Sequence, residues 1–166
     1  SCNAAQLAAE EYQAGHPEAK VFVLDSLSAG PELVLLAEHI RDGLKEGGVR
    51  VEMYDLVSDD TAAAKAAVAA ADGFLLGSPT LVGDALPPVY EMFLGLNPII
   101  HKGKPAGAFG SYGWSGEAVP NLTARMQQLR LSLPLEGMRV RFCPTQEDLA
   151  AAVQFGRDFA KAVRGE

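Results

Sequence analysis

Short apolar runs that alternate with stretches of helical periodicity constrain this chain more than any other feature. Val21-Phe22-Val23-Leu24 is the first run, and polar residues do not interrupt it. A strand covered on both faces reads this way, because each side of it meets another layer. Gly73-Phe74-Leu75-Leu76-Gly77 repeats the pattern, and Lys104–Phe109 and Met138–Phe142 supply two more runs. Val49–Leu56 reads as a further strand, with Val49, Val51 and Met53 alternating.

Helical patterns fill the intervals. Pro31 to Lys45 places Leu33, Leu36, Ala37, Ile40 and Leu44 on one stripe. Pro31 suits the first turn, where no N–H is needed, and Gly47-Gly48 ends the helix. Asp59 or Asp60 can cap Thr61–Ala71. Leu86–Leu96 is opened by Pro87-Pro88, and Glu117–Leu131 tolerates Pro120 because it falls in the first turn. Thr145 and Asp148 form a variant capping box for a last helix that runs to about Val163. Strands alternating with helices build βαβ units with right-handed crossovers. The expected fold is α/β, a doubly wound five-stranded parallel sheet with helices on both faces. Residues 1–19, alanine-rich and broken by Gly15 and Pro17, read as a linker or leading tail, and residues 20–166 as one domain.

Composition removes several functions. The net charge is −7 and there is no basic cluster, so a nucleic-acid binder is not expected. No segment approaches the ~20 consecutive apolar residues of a membrane span. Cys2 and Cys143 have neither metal-site nor disulfide spacing and read as reduced thiols of a cytoplasmic protein. His16, His39 and His101 are scattered, and no Gly-x-Ser-x-Gly elbow is present. A chain without a nucleophile, metal cluster or acid–base pair borrows its chemistry from a cofactor.

Ligands of such sheets bind beyond the carboxyl ends of the strands. Three loops lie there. Ser26, Leu27, Ser28, Ala29 and Gly30 lead into a helix N-terminus, a generic phosphate site or else a plain capped turn. The loop is neither a Walker loop nor a Gly-x-Gly-x-x-Gly turn. In the second loop, Ser78, Pro79 and Thr80 offer donors and a fixed backbone, and Leu81 and Val82 offer apolar support for a ring. The third is Gly110–Gly116. Tyr112 and Trp114 lie there among Ser111, Gly113, Ser115 and Gly116, a setting that suits an aromatic ring laid on a flat ligand.

The run Lys104-Pro105-Ala106-Gly107-Ala108-Phe109-Gly110-Ser111-Tyr112-Gly113-Trp114-Ser115-Gly116-Glu117 resembles the flavodoxin domain of flavodiiron proteins, the A-type or diflavin flavoproteins. Gly77-Ser78-Pro79-Thr80 with Leu86-Pro87-Pro88, and Cys143-Pro144-Thr145 through Phe155-Gly156, extend the likeness over roughly residues 20–163. The resemblance implies a flavodoxin-like fold and noncovalent FMN. It implies that Ser26–Gly30 hold the phosphate, and that Pro79–Val82 and Ser111–Gly116 bracket the isoalloxazine ring. It also implies electron delivery by rubredoxin or a flavin reductase, and a diiron metallo-β-lactamase-like partner domain that reduces oxygen or nitric oxide. No His-x-Glu-x-Asp-His run of that domain occurs here, so the chain reads as an excised flavodomain or a free-standing one.

The sequence departs from the family at two loops. Gly30 and Pro31 stand where the family carries Asn or Ser and then Thr, and Val82-Gly83 stands where it often places Asn. Proline has neither N–H nor hydroxyl, so phosphate contacts are lost. Two other readings stay open: a degenerate module that binds FMN weakly or not at all and serves docking or homodimer formation, and an NAD(P)H-dependent FMN quinone reductase, which no feature favours.

Overall fold

The computed structural model describes residues 20–25 and 30–166. Strand β1 (Lys20–Asp25) is followed by helix α1 (Pro31–Glu46), β2 (Arg50–Asp55), α2 (Thr61–Ala70) and β3 (Gly73–Gly77). Then come α3 (Pro87–Glu91), β4 (Ala106–Tyr112), α4 (Ala118–Gln128), β5 (Met138–Arg141) and α5 (Gln146–Arg164). The sheet order is β2-β1-β3-β4-β5, and every pairing is parallel. The chain winds from β1 outward to β2, then returns past β1 to β3 and on to the opposite edge. The reversal falls between β1 and β3, the position at which open α/β sheets form a crevice.

Two apolar layers flank the sheet. Leu33, Leu36, Ile40 and Leu44 of α1 pack with Phe159 of α5 against Leu75 and Phe109. On the other face Val68, Val89, Met92, Leu122 and Met126 pack against Phe74 and Leu76. Strand β3 therefore sends alternate side chains into two cores and is buried throughout, which accounts for its unbroken apolar run. Each fully buried large side chain contributes about 1.5–3 kcal/mol. Helices α1 and α5 approach closely at Gly43, where a Cβ would overlap the Val153 carbonyl.

The helix ends follow local chemistry. Asp60 accepts the Ala62 N–H at 2.9 Å. Thr145 and Asp148 close a capping box, with Asp148 N–H to Thr145 Oγ1 at 3.2 Å and Thr145 N–H to Asp148 Oδ2 at 2.8 Å. Three elements depart from expectation by more than one residue at an end. The helix expected over Leu86–Leu96 is α-helical only to Glu91 and tightens into a 3-10 turn over Met92–Gly95. Two prolines at its start and Gly95 leave few residues that favour an α-helix there. Helix α4 ends at Gln128, and Arg130 takes a left-handed φ of 59°. Strand β4 begins two residues later than expected and continues through Tyr112, because Ser111 and Tyr112 pair with Val140 and Arg141 of β5.

Candidate functional site

The loops that leave β3, β4 and β5 meet at the carboxyl edge of the sheet. They enclose an open cleft of about 290 Å³ that is walled by Pro79, Thr80 and Leu81, by Ser111, Tyr112 and Gly113, and by Phe142, Cys143 and Glu32.

The loop after β3 is held by its own polar groups. Ser78 is fully buried. Its hydroxyl donates to Pro79 O at 2.9 Å and accepts the Leu86 N–H at 3.0 Å. Ser78 thus closes the loop on itself, and its oxygen is turned into the fold. Thr80 N–H donates to Ser111 O at 3.0 Å, and Thr80 Oγ1 accepts the Ala118 N–H at 3.3 Å. The second loop is therefore fastened both to β4 and to the start of α4. Leu81 and Asp84 exchange backbone bonds of 3.0 and 3.1 Å around a turn. Val82 (φ 54°) and Gly83 (φ 73°) both adopt left-handed backbone at its apex. That suits a primed turn for Gly83, but it is a costly conformation for a β-branched valine. Val82 stands wholly in solvent.

Asp84 anchors this turn from behind. Its Oδ1 accepts Tyr90 OH at 2.6 Å, Asn121 Nδ2 at 2.9 Å and the Ala85 N–H at 2.8 Å. The Tyr90 and Asn121 bonds hold its carboxyl below the usual range. Burial, then the bond to Asp84, pushes the Tyr90 phenol up to about 12.

In the third loop the Tyr112 ring lies against Gly116 (φ +74°), where a Cβ would sit 2.9 Å from the ring's Cγ. Glycine is required there on both counts, space and backbone conformation. Ser115 Oγ donates to Glu117 Oε2 at 2.7 Å. Trp114 is 92% exposed and projects outside the cleft wall. Phe142, exposed and at a φ of 57°, donates its N–H to Tyr112 O at 2.8 Å. The Arg141 guanidinium lies 5.1 Å above the Phe142 ring, and its Nε donates to Gly113 O at 3.4 Å.

Ser26, Leu27, Ser28 and Ala29 of the first loop lie outside the described residues. Beside them, Gly30 (φ 131°) caps α1 without a side chain, and Pro31 occupies the first turn. Glu32 is part of the cleft wall, and Cys143 Sγ lies 3.8 Å from its Oε1.

Two ends of the cleft therefore differ in their fit to an FMN molecule. Leu81, Tyr112 and Phe142 offer apolar surface, interleaved with Thr80, Ser111 and the Gly113 backbone, and this set fits a flat heteroaromatic ring. At the α1 end the described residues offer a side-chain-free cap, a proline and a carboxylate.

Of the residues expected to bind, the structure brings Pro79, Thr80, Leu81, Ser111, Tyr112 and Gly113 to one cleft. It places Ser78 beneath it, and Val82 and Trp114 in solvent beside it. Glu32, Phe142 and Cys143 are wall residues that the loop-by-loop reading did not select. Phe142 and Cys143 follow β5 at the same sheet edge, so the carboxyl-end rule that pointed to the other loops applied to them as well. Among the described residues no group of three or more His, Cys, Asp or Glu side chains could hold a metal ion. No described helix is long and apolar enough to cross a membrane.

The family model described as Flavodoxin matches residues 35–156. The flavo-diiron protein FprA2 of Clostridium acetobutylicum is 39% identical over 131 residues, 78% of this chain and 33% of that protein. The type A flavoprotein fprA of Rhodobacter capsulatus is 39% identical over 147 residues, 88% of this chain and 34% of that protein. The chain thus spans about a third of the length of these curated relatives. The flavodiiron core of Flv1 from Synechocystis sp. PCC6803 superposes with a TM-score of 0.82 at 28% identity, covering 94% of this chain and 39% of that one.

Proposed function

The chain belongs to the flavodoxin family and has flavodiiron proteins as relatives, and on that premise we propose that it is an FMN-binding electron-transfer domain of a flavodiiron-type oxygen or nitric oxide reductase. The observation that carries the proposal is the cleft at the carboxyl edge of the sheet, where the loops that leave β3, β4 and β5 meet. Leu81, Tyr112 and Phe142 give it apolar walls, and Thr80, Ser111 and Gly113 line it with polar atoms. FMN, when bound, supplies the capacity to accept and release electrons singly or in pairs.

The chain's own residues would do the positioning. Pro79 to Leu81 would support one side of the ring, held in place by the Thr80 bonds to Ser111 and Ala118. Tyr112, propped on Gly116, would support the other. Trp114, which stands in solvent next to Gly113 and outside the cleft wall, would have to swing inward to cover the outer face. The net charge of −7 disfavours added negative charge in the cleft, and so bears on the ring's potential. Electrons would arrive from rubredoxin or a flavin reductase and leave toward a diiron domain of the metallo-β-lactamase type. Ser26–Gly30 would lie at the phosphate.

Titration of the purified chain with FMN, read by flavin fluorescence, tests the proposal. Quenching, with a melting temperature that climbs with FMN concentration, is the expected result. Absence of both at high micromolar FMN would refute it, and leave the fold as a docking or dimerisation module.

A further inference from the structure

Leu81 forms part of the apolar wall at the ring end of the cleft, yet little packs around the turn that carries it. Leu81 is 53% exposed and Val82 stands wholly in solvent. Among the described residues, a Cβ built on Gly83 would meet no atom within 4 Å. Hydrogen bonds therefore fix the turn. At its first foot Thr80 is tied to Ser111 O and to the Ala118 N–H. Inside the turn Leu81 and Asp84 exchange backbone bonds, so the position of one sets the position of the other. The Asp84 carboxylate is the second foot. Its Oδ1 accepts Tyr90 OH from α3 at 2.6 Å and Asn121 Nδ2 from α4 at 2.9 Å. Asn121 Nδ2 also reaches Gly83 O at 3.5 Å. The apex requires such a tie: Val82 holds a φ of 54°, and a strained residue keeps that backbone only where its surroundings over-determine it. Asp84, Tyr90 and Asn121 do not themselves line the cleft.

We propose that Asp84 is a positioning residue of the cleft. Acting through the Leu81 turn, its carboxylate, braced by Tyr90 and Asn121, holds the ring-supporting wall in place. It thereby sets the affinity for a flavin and the solvent exposure of the bound ring. The inference rests on the flavin reading proposed above and concerns the ring end of the cleft alone. The tether works through an acceptor oxygen in a fixed place, and the negative charge is secondary.

Titrations of the full chain with FMN, read by flavin fluorescence and by the shape of the visible flavin absorption band, test it. Asp84→Ala should weaken FMN about tenfold, equivalent to about 1.4 kcal/mol. At saturating FMN its band should lose vibronic resolution, as the band of a more solvated ring does. Asp84→Asn keeps an oxygen to which Tyr90 and Asn121 can donate, and should bind within about threefold of the wild type with the wild-type band. Tyr90→Phe combined with Asn121→Ala leaves the carboxylate without these two partners, and should reproduce the Asp84→Ala pattern. An unchanged band in Asp84→Ala, whatever its affinity, would overturn the inference while leaving the flavin reading intact. Equal losses in Asp84→Asn and Asp84→Ala would overturn it too, because charge and not position would then be acting. Should Asp84→Ala fail to fold, Tyr90→Phe alone decides: weaker binding with a less resolved band supports the inference, and wild-type behaviour in both overturns it. Absence of FMN binding by the wild type would overturn the flavin reading, and this inference with it.

Discussion

Replacing Ser78 by alanine removes one oxygen from a position with no solvent exposure. That oxygen serves two bonds, one to Pro79 O at 2.9 Å and one from the Leu86 N–H at 3.0 Å. The variant leaves the Leu86 N–H, at the start of α3, without its acceptor. A buried donor left unsatisfied costs about 1–3 kcal/mol. Leu86 is half-buried, so water can reach part of the group, and the lower half of that range, about 1–2 kcal/mol, is expected. At this chain length about 2–4 °C of melting temperature is lost per kcal/mol, so Ser78→Ala should melt about 2–8 °C below the wild type. Denaturant unfolding followed by circular dichroism measures the stability change, and a flavin titration of the same preparation measures the site. The expected pattern is a clear loss of stability with a small change in affinity, since the hydroxyl is turned away from the cleft. Stability within about 0.5 kcal/mol of wild type, the range of a neutral surface change, together with loss of flavin binding would refute the reasoning. It would mean that the Ser78 hydroxyl faces the ligand.

Gly43→Ala should destabilise the fold by about 1–3 kcal/mol through overpacking, despite alanine's better helix propensity, because its Cβ would overlap the Val153 carbonyl on α5; denaturant unfolding checks this. Tyr90 has its phenol raised from 10.0 to about 12. A raised pKa stabilises the fold fully below the unfolded value and loses that contribution as pH climbs through the folded one. Wild-type stability should therefore fall across pH 10 to 12 by a component that Tyr90→Phe lacks, seen by comparing unfolding curves at successive pH values. Asp84 has the opposite sign: its lowered carboxyl pKa contributes above the ordinary carboxylate range and is lost as pH falls below it. Asp84→Asn should accordingly remove one component of the acid destabilisation.

Much of the architecture is legible in the residues themselves. Phe74, Leu75 and Leu76 form an unbroken apolar run because the strand lies between two cores, a condition that composition alone reports. The Thr145–Asp148 box and the Asp60 cap are equally legible, because their partners lie two or three residues apart. The Ser-Tyr-Gly-Trp-Ser-Gly-Glu stretch over Ser111–Glu117 carries the family likeness without any reference to neighbours in space.

The rest depended on partners distant in the chain. Ser111 and Tyr112 read as loop residues, and they are strand only because β5 pairs with them. Ser78 offers the same hydroxyl in either orientation, and the Leu86 N–H, eight residues on, decides that it turns inward. Glu32, Phe142 and Cys143 are unremarkable where they stand in sequence, and become a wall only when α1 and the end of β5 converge on one cleft. Local chemistry, written in side-chain period and in caps a few bonds away, was thus determined by the sequence by itself. Which groups face the cleft and which face the core was decided by tertiary structure, because orientation is set by the element packed across the sheet and not by the residue's own neighbours.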